Sequence, residues 1–199
     1  MSEVEIIMGL NHSGKTLFLN TYLEITNVKE ERILLIIVGN GNTKLENKFK
    51  NVYIKVKMFN SIFEINEKKL NYLINMYKPH RVLIEGDYLS LKNIYKLIGS
   101  HEFKNSLFIT SIIDIINSKH ISRVLKYRLN KIGSNIVIIN NFDRLKINDE
   151  YIKNIRLRNI NSFLFYIEDF EEIYVKFKNY GLVKSGFHKN IFKYLKEYI

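Results

Sequence analysis

The chain has 199 residues, of which 46% are hydrophobic, 26% are charged and none is cysteine. This length suits one domain with a sizeable core, and the hydrophobic fraction is too high for a disordered chain. The lack of cysteine excludes disulfide bonds and thiolate metal ligands. No apolar run approaches the roughly 20 residues of a membrane-spanning helix, and the first five residues, MSEVE, are acidic where an export signal is basic. We therefore expect a cytoplasmic protein without a membrane partner.

The net charge is +11, from 31 Lys and Arg against 20 Asp and Glu. Such an excess gives a general attraction for phosphates. The basic residues are spread along the chain, so we do not expect a nucleic-acid partner. Residues 175–199 interleave lysines with aromatic residues, as single-strand binders do. However, Phe187, Ile191 and Tyr194 recur at three- and four-residue steps, which favours a packed helix.

Short β-branched runs alternate with amphipathic stretches. Each run is about 4–7 residues long and nearly continuously apolar, as expected of strands covered on both faces. The runs span residues 4–8, 33–38, 52–56, 81–84, 107–113, 136–139 and 163–167. Helical periodicity occupies residues 67–77, 91–98 and 119–132. The alternation predicts a single α/β domain over residues 1–199, with three layers, a mainly parallel sheet of about seven strands and a helical tail at about 171–199.

The first predicted strand leads into a glycine-rich loop. Residues 9–16 read GLNHSGKT, which matches the pattern GxxxxGK[ST], and an amphipathic stretch follows. Gly9 and Gly14 allow the backbone to wrap closely around a phosphate, with N–H groups from about Asn11 to Leu17 pointing inward. The sequence therefore predicts a nucleotide site and the P-loop NTPase fold.

The side chains of this loop have distinct expected roles. Lys15 supplies a positive charge for the β- and γ-phosphates, and the Thr16 hydroxyl is a ligand for Mg²⁺. The helix that begins near Lys15 adds its positive N-terminal end. His12 is expected to fill space in the loop rather than act as a base, and Asn11 and Ser13 complete the predicted phosphate site.

Three later segments also match recognisable sequence patterns. They are residues 79–90, PHRVLIEGDYLS, similar to PDxIIIExTGLA; residues 106–114, SLFITSIID, similar to a following strand that ends in Asp; and residues 134–145, SNIVIINNFDRL, similar to ADxIVLNKxDL. With the loop GLNHSGKTLFLN, which is similar to GFxGxGKTTLLN, they resemble the CobW-type metallochaperone GTPases, relatives of the urease and hydrogenase accessory GTPases. The resemblance covers roughly residues 4–170.

This resemblance implies roles for residues outside the loop. Glu85 would be the Walker B carboxylate, which holds a Mg²⁺-bound water or orients the attacking one; a surface carboxylate at a strand end is the alternative. Asp143 would accept from two guanine nitrogens, with Asn140 bracing the base pocket. The implied protein is a slow, Mg²⁺-dependent GTPase with Lys15 and Glu85 as catalytic residues. It would bind GTP and GDP and assist a client protein or metalloenzyme. The resemblance leaves both a monomer and a homodimer as alternatives.

The sequence also departs from the family. The expected Cys-x-Cys-Cys would fall near residues 58–63, where there is no cysteine, and Asn141 replaces the lysine that packs along the base. Tyr88 replaces the glycine that senses a γ-phosphate, and the sequence stops before the second domain of the larger members. These losses keep open a pseudo-GTPase, an interaction module without turnover. A small-molecule kinase is a third alternative, but no arginine cluster resembles its lid.

Two further features are ambiguous or uninformative. Residues 39–43, GNGNT, follow the second predicted strand and read either as a switch loop, with Thr43 near Mg²⁺, or as an ordinary turn. The five histidines are scattered without helical spacing, so the sequence predicts no histidine metal site.

Overall fold

The computed structural model describes residues 1–26, 31–39, 53–127, 134–143, 147–158 and 160–179. Within these ranges seven strands alternate with six helices. The strands are β1 (Ser2–Met8), β2 (Arg32–Val38), β3 (Tyr53–Phe59), β4 (Arg81–Gly86), β5 (Leu107–Asn117), β6 (Ile136–Asn140) and β7 (Phe163–Tyr166). The helices are α1 (Lys15–Thr26), α2 (Glu67–Tyr77), α3 (Leu91–Ile98), α4 (Ile121–Tyr127), α5 (Asp149–Arg158) and α6 (Glu172–Asn179).

The seven strands form one sheet in the order β3-β2-β4-β1-β5-β6-β7, and all neighbours pair in parallel. β1 therefore lies near the middle, between β4 and β5. Because parallel strands point the same way, the loops that follow β1, β4, β5 and β6 meet at one edge of the sheet. This is the edge at which open α/β sheets bind ligands.

Helices cover both faces of the sheet, which gives three layers. Ile6 and Met8 belong to the core that the sheet forms with α2, α3, α4 and α5, whereas Ile7 faces the core formed with α1 and α6. Alternate residues of the central strands thus enter opposite cores, so the strands are apolar almost throughout. This architecture confirms the predicted three-layer α/β fold with a parallel sheet.

Capping residues explain the bounds of α2. The Asn66 side chain accepts a hydrogen bond from the backbone N–H of Lys69 at 2.9 Å, which caps the first turn. At the other end Lys78 takes a left-handed conformation with φ of 45°, and Pro79 follows. Proline disfavours helix in the residue before it, so the helix ends at Tyr77.

A buried ion cluster ties the start of β4 to its neighbours. Arg81 is 1% exposed; its Nη2 lies 3.0 Å from Glu31 Oε2 and its Nη1 lies 3.7 Å from Glu5 Oε1. The Tyr22 hydroxyl donates to Glu5 Oε2 at 2.8 Å, and Arg81 Nη1 donates to Thr26 Oγ1 at 3.1 Å. Burial raises the pKa of Glu5, and the charge of Arg81 opposes that rise. The cluster thereby joins α1, β1 and β4.

Several predicted bounds differ from the observed elements. The run at 52–56 was expected to be covered on both faces, but β3 is an edge strand on which Tyr53, Val56 and Met58 are exposed. The strand predicted to end at 113, or at Asp114, continues to Asn117 because its apolar residues continue into both cores. The helix predicted over 119–132 is described only as α4 after a 3-10 turn, Ser118–His120. Residues 40–43 and 180–199, with the Thr43 and tail predictions, lie outside the described residues.

Candidate nucleotide site

The loop between β1 and α1 depends on its two glycines. Gly9 has φ of 155°, and a Cβ added to it would lie 2.4 Å from the backbone oxygen of Ile115. Gly14 has φ of 97°, and a Cβ there would lie 2.4 Å from Asn140 Nδ2 and 2.8 Å from the Phe170 ring. Both positions combine a positive φ with a close approach to neighbouring atoms, so only glycine fits. The glycines thus hold the loop tightly against the ends of β5 and β6.

The ammonium of Lys15 is folded back onto this loop. Its Nζ donates to the backbone oxygens of Gly9 and Leu10, both at 2.9 Å. Burial lowers the pKa of Lys15, and the carboxylates of Glu85, Asp87 and Asp114 oppose that fall. The loop therefore encloses a positive charge among carbonyl oxygens, and a bound phosphate would compete with those oxygens for the ammonium.

The remaining loop residues differ in exposure. Ser13 is buried, Thr16 is half-buried, and Asn11, His12 and Leu17 are exposed. His12 itself has a positive φ of 61°, so its backbone takes part in shaping the loop.

The prediction that the N–H groups from about Asn11 to Leu17 all point inward is wrong at Ser13. The N–H of Ser13 donates to Leu10 O at 3.2 Å, so it closes a turn instead of pointing inward with its neighbours. The N–H groups of Lys15, Thr16 and Leu17 belong to the first turn of α1, where a helix offers them no acceptor of its own. They remain suited to an anion.

Two carboxylates lie on the strands that flank β1. Glu85 on β4 pairs with Ile7, and Asp114 on β5 pairs with Met8, so both are level with the end of β1. Glu85 is 3% exposed and Asp114 is fully buried. Glu85 is thus a buried carboxylate beside the loop rather than a surface residue. The sequence pattern marks Asp114 only as the end of a strand; an acid inside the apolar run 112–116 is the signal for its burial.

Tyr88 turns inward from the loop after β4. Its ring packs in the core with α2–α5 at 9% exposure, and its hydroxyl donates to Asp114 Oδ1 at 2.7 Å. In the same loop Asp87 Oδ1 accepts from the backbone N–H of Ser90 at 2.8 Å and from its hydroxyl at 2.7 Å. Side-chain hydrogen bonds therefore fix the loop at both of these residues.

The end of β6 contacts the phosphate loop directly. Asn140 Nδ2 donates to Ser13 O at 2.5 Å, and Asn141 Nδ2 donates to Asn140 Oδ1 at 2.9 Å. Asn141 has φ of 49°, and its backbone oxygen accepts from the Ser118 hydroxyl at 2.5 Å. Asn140 thus braces the phosphate loop, while Asn141 ties the end of β6 to the segment after β5.

A cavity of about 410 Å³ opens beside these asparagines. Half-buried Asp143 lies on its wall. Its other polar lining comes from the end of β6, the segment after β5, the start of α4 and the region where α5 begins: Asn141, Ser118, Lys119, Ser122, Asn148 and Tyr151. We call it the base-side cavity. The structure brings Lys15, Glu85 and Asn140 together around the phosphate loop and sets Asp143 apart in this cavity.

Within the described part of the chain, no group of three or more His, Asp or Glu side chains could hold a metal ion by itself. Over the same residues, no helix is both long and apolar enough to cross a membrane.

No protein-family model matches the chain, and no curated protein matches it either. Solved structures do share its fold. The hydrogenase maturation factor HypB from Archaeoglobus fulgidus is similar at 17% identity and a TM-score of 0.59, over 92% of this chain and 91% of that one. Zn(II)-bound YjiA GTPase from E. coli is similar at 12% identity and a TM-score of 0.51, over 82% and 56%. FlhF in complex with GMPPNP and Mg²⁺ is similar at 14% and 0.50, over 84% and 66%.

The parallel sheet, the loop after its central strand and these similarities define the chain as a protein with the P-loop NTPase fold. At such identities the likeness establishes the fold, which confirms the fold predicted from GLNHSGKT.

Proposed function

We propose that this protein binds a guanine nucleotide with Mg²⁺, hydrolyses GTP slowly and serves as an accessory factor of the CobW-like kind. The observation that carries the proposal is the Lys15 ammonium enclosed by a loop that only glycines at positions 9 and 14 permit. A lysine ammonium on the loop, together with the N–H groups in the first turn of α1, forms a site for the phosphates of a nucleotide. Binding would move the ammonium from the Gly9 and Leu10 oxygens to phosphate oxygens.

The donor set beside Lys15 fits Mg²⁺. Thr16 offers a hydroxyl and Glu85 a buried carboxylate, and both are the hard oxygen ligands that Mg²⁺ prefers. Mg²⁺ usually keeps several waters and takes one or two protein oxygens together with phosphate oxygens, so it needs no three-residue protein cage. When bound, Mg²⁺ would neutralise charge on the β- and γ-phosphates.

Glu85 is the residue best suited to direct the hydrolytic water. Its position beside the end of β1 would let its carboxylate accept a proton from a water aimed at the γ-phosphorus. The new bond joins that water oxygen to phosphorus, and the bond from phosphorus to the β–γ bridging oxygen breaks, giving GDP and phosphate. Lys15 would stabilise the charge that develops on the phosphate oxygens.

Asp143 is proposed to select guanine. A carboxylate accepts hydrogen bonds from N1–H and the 2-amino group of guanine, whereas adenine presents an acceptor at N1. Its position on the wall of the base-side cavity, next to Asn141, supports this role. Asn140 would keep the cavity in register with the phosphate loop through its bond to Ser13.

The client is proposed from resemblance. HypB is named as a hydrogenase maturation factor and YjiA as a Zn(II)-bound GTPase, which supports a client enzyme that needs a metal or cofactor. Because this sequence has no cysteine, any metal would not pass through thiolates of this chain. Nucleotide state would instead control docking on the client.

A pseudo-GTPase is the second candidate, and one observation favours it. Tyr88, in the position of the family's sensing glycine, is fixed to buried Asp114. A loop that is held in this way would respond weakly to a γ-phosphate, and the protein would then act as an interaction module.

Calorimetric titration with GTP, GDP and ATP, with and without Mg²⁺, tests the proposal. We expect guanine nucleotides to bind and ATP to bind little. Lys15→Ala should lower the affinity for GTP roughly 100-fold, because a charge-assisted contact is lost. Lys92→Ala, which removes an exposed lysine of α3, is the matched control and should bind as the unchanged protein does. Circular dichroism checks that both variants fold. Absence of binding in the unchanged protein would refute the nucleotide proposal.

A further inference from the structure

The base-side cavity has the size of a ligand pocket. Its volume of about 410 Å³ lies within the roughly 300–1,000 Å³ of small-molecule sites. Two elements contribute side chains that the proposed function does not use: the turn after β5 contributes Lys119, and the first turn of α5 contributes Tyr151. Neither residue has a role in the function proposed above.

Hydrogen bonds connect this cavity to the phosphate loop at two points. Asn117 Nδ2 donates to His12 O at 3.5 Å, and Asn140 Nδ2 donates to Ser13 O at 2.5 Å. The strand ends that carry the cavity lining are thus bonded to the loop that would hold the phosphates. One nucleotide would have its phosphates at the loop and its base in the cavity.

The residue that usually flanks the base is missing here. Asn141 stands in place of a lysine, and its amide donates to Asn140 Oδ1 at 2.9 Å, so the short side chain is tied to its own strand end. It offers no long aliphatic stem to the base. A base bound in this cavity would therefore find its stacking surface and its positive charge on residues other than Asn141.

Lys119 brings a cation to the same cavity that Asp143 lines. Its side chain is exposed, and among the described residues its ammonium makes no hydrogen bond or ion pair. Guanine presents acceptors at O6 and N7 on one edge and donors at N1 and the 2-amino group on another. An ammonium and a carboxylate on the same cavity match that pattern, whereas the 6-amino group of adenine would meet the ammonium as a second donor.

Tyr151 brings an aromatic ring to the same cavity. It is 36% exposed at the third position of α5, so part of the ring borders open space. Aromatic rings stack on bases of any kind, so this contact adds affinity without choosing the base.

We propose that Lys119 and Tyr151 together replace the missing motif lysine, Lys119 by donating to O6 or N7 of guanine and Tyr151 by stacking on the base. This inference rests on the proposed guanine-nucleotide function. It assigns guanine selectivity to two side chains of opposite charge in this cavity, Asp143 and Lys119, and base affinity to Tyr151.

Titrations of Lys119→Met with GTP, ITP and ATP test the first role. ITP keeps O6, N7 and N1–H but lacks the 2-amino group, so we expect GTP and ITP to lose affinity by the same factor, about tenfold. Affinity for ATP should stay the same or rise. Lys153→Met removes an exposed lysine of α5 that does not line the cavity, and it should change nothing.

Equal losses for GTP, ITP and ATP would mean that Lys119 only attracts triphosphates, and an unchanged GTP affinity would mean that it touches no nucleotide. Either result overturns the proposed role. A ligand-atom cycle adds a second test: replacing GTP by 6-thio-GTP and by 7-deaza-GTP should weaken binding to the unchanged protein with at least one analogue, and in Lys119→Met that difference should vanish.

Tyr151→Ala should weaken GTP and ATP alike by about fivefold or more, while Tyr151→Phe keeps the ring and should bind as before. Loss in both variants, or in neither, overturns the stacking role. If the unchanged protein binds GTP and these variants behave like it, the inference alone fails. If the unchanged protein binds no nucleotide, the proposed function fails first.

Discussion

At the scale of single residues, Glu85 offers the sharpest test of turnover. We expect Glu85→Gln to keep nucleotide affinity within a few-fold but to slow GTP hydrolysis by about 10²–10⁴, as for the loss of a general base. The amide is nearly isosteric and cannot accept the proton of the water. Phosphate release under single-turnover conditions measures the rate, with Glu64→Gln, an exposed acid between β3 and α2, as the control. Equal rates would leave Glu85 with a structural role.

A substitution at Asp143 tests whether guanine is recognised at this position. Asp143→Asn replaces one acceptor oxygen with a donor, so we expect GTP to weaken by about 1–3 kcal/mol while ATP changes little. Competition between labelled GTP and unlabelled ATP measures the change in preference. Asp149→Asn, at the exposed start of α5, is the matched control. If both nucleotides weakened equally, guanine would not be read at this position.

At the scale of elements, Tyr88 links the loop after β4 to β5. Tyr88→Phe removes the donor to Asp114, which leaves a buried carboxylate oxygen without that bond. We expect a loss of about 1–3 kcal/mol in the free energy of unfolding, measured with urea. Tyr95→Phe, a half-exposed tyrosine of α3, should cost far less.

The same variant separates the two proposed functions. If the Tyr88–Asp114 bond restrains a switch loop, Tyr88→Phe should increase the preference for GTP over GDP. If the protein is a pseudo-GTPase, that ratio should stay near one in both forms.

The bounds of most elements could be predicted from the sequence, and the reasons are local. α2 and α3 match their predicted ranges because caps and apolar periodicity act within a few residues. β3 was predicted less well, because whether a strand is central or at an edge depends on distant pairing partners. Asp114 interrupts the apolar run of β5, and its Oδ1 accepts a hydrogen bond from Tyr88, 26 positions away, a contact that no local pattern predicts.

At the scale of the whole molecule, the Arg81 cluster joins α1, β1 and β4. Arg81→Met would leave Glu5 buried without its cation, so we expect a loss of about 3–5 kcal/mol in the free energy of unfolding. Burial raises the pKa of Glu5, and loss of Arg81 would raise it further. A raised carboxyl pKa means that protonation favours the folded state, so stability is lost as pH rises through that pKa.

The loss in the free energy of unfolding caused by Arg81→Met should therefore be larger at about pH 8 than at about pH 5. Urea unfolding of both proteins at the two pH values measures it, and Arg156→Met, an exposed arginine of α5, serves as the control. A deficit that does not change with pH would show that Glu5 does not titrate in this range.

The phosphate loop, the alternation of strands and helices, and hence the three-layer fold can be predicted from the sequence, because glycine spacing and apolar periodicity act locally. The sequence did not reveal that Tyr88 is bonded to Asp114, that Glu5 and Arg81 are paired in the core, or that Lys119 and Tyr151 share a cavity with Asp143. These pairs are far apart in the chain. The parallel pairing of the strands and the packing of the helices bring them together, because strand register and helix position decide which side chains meet.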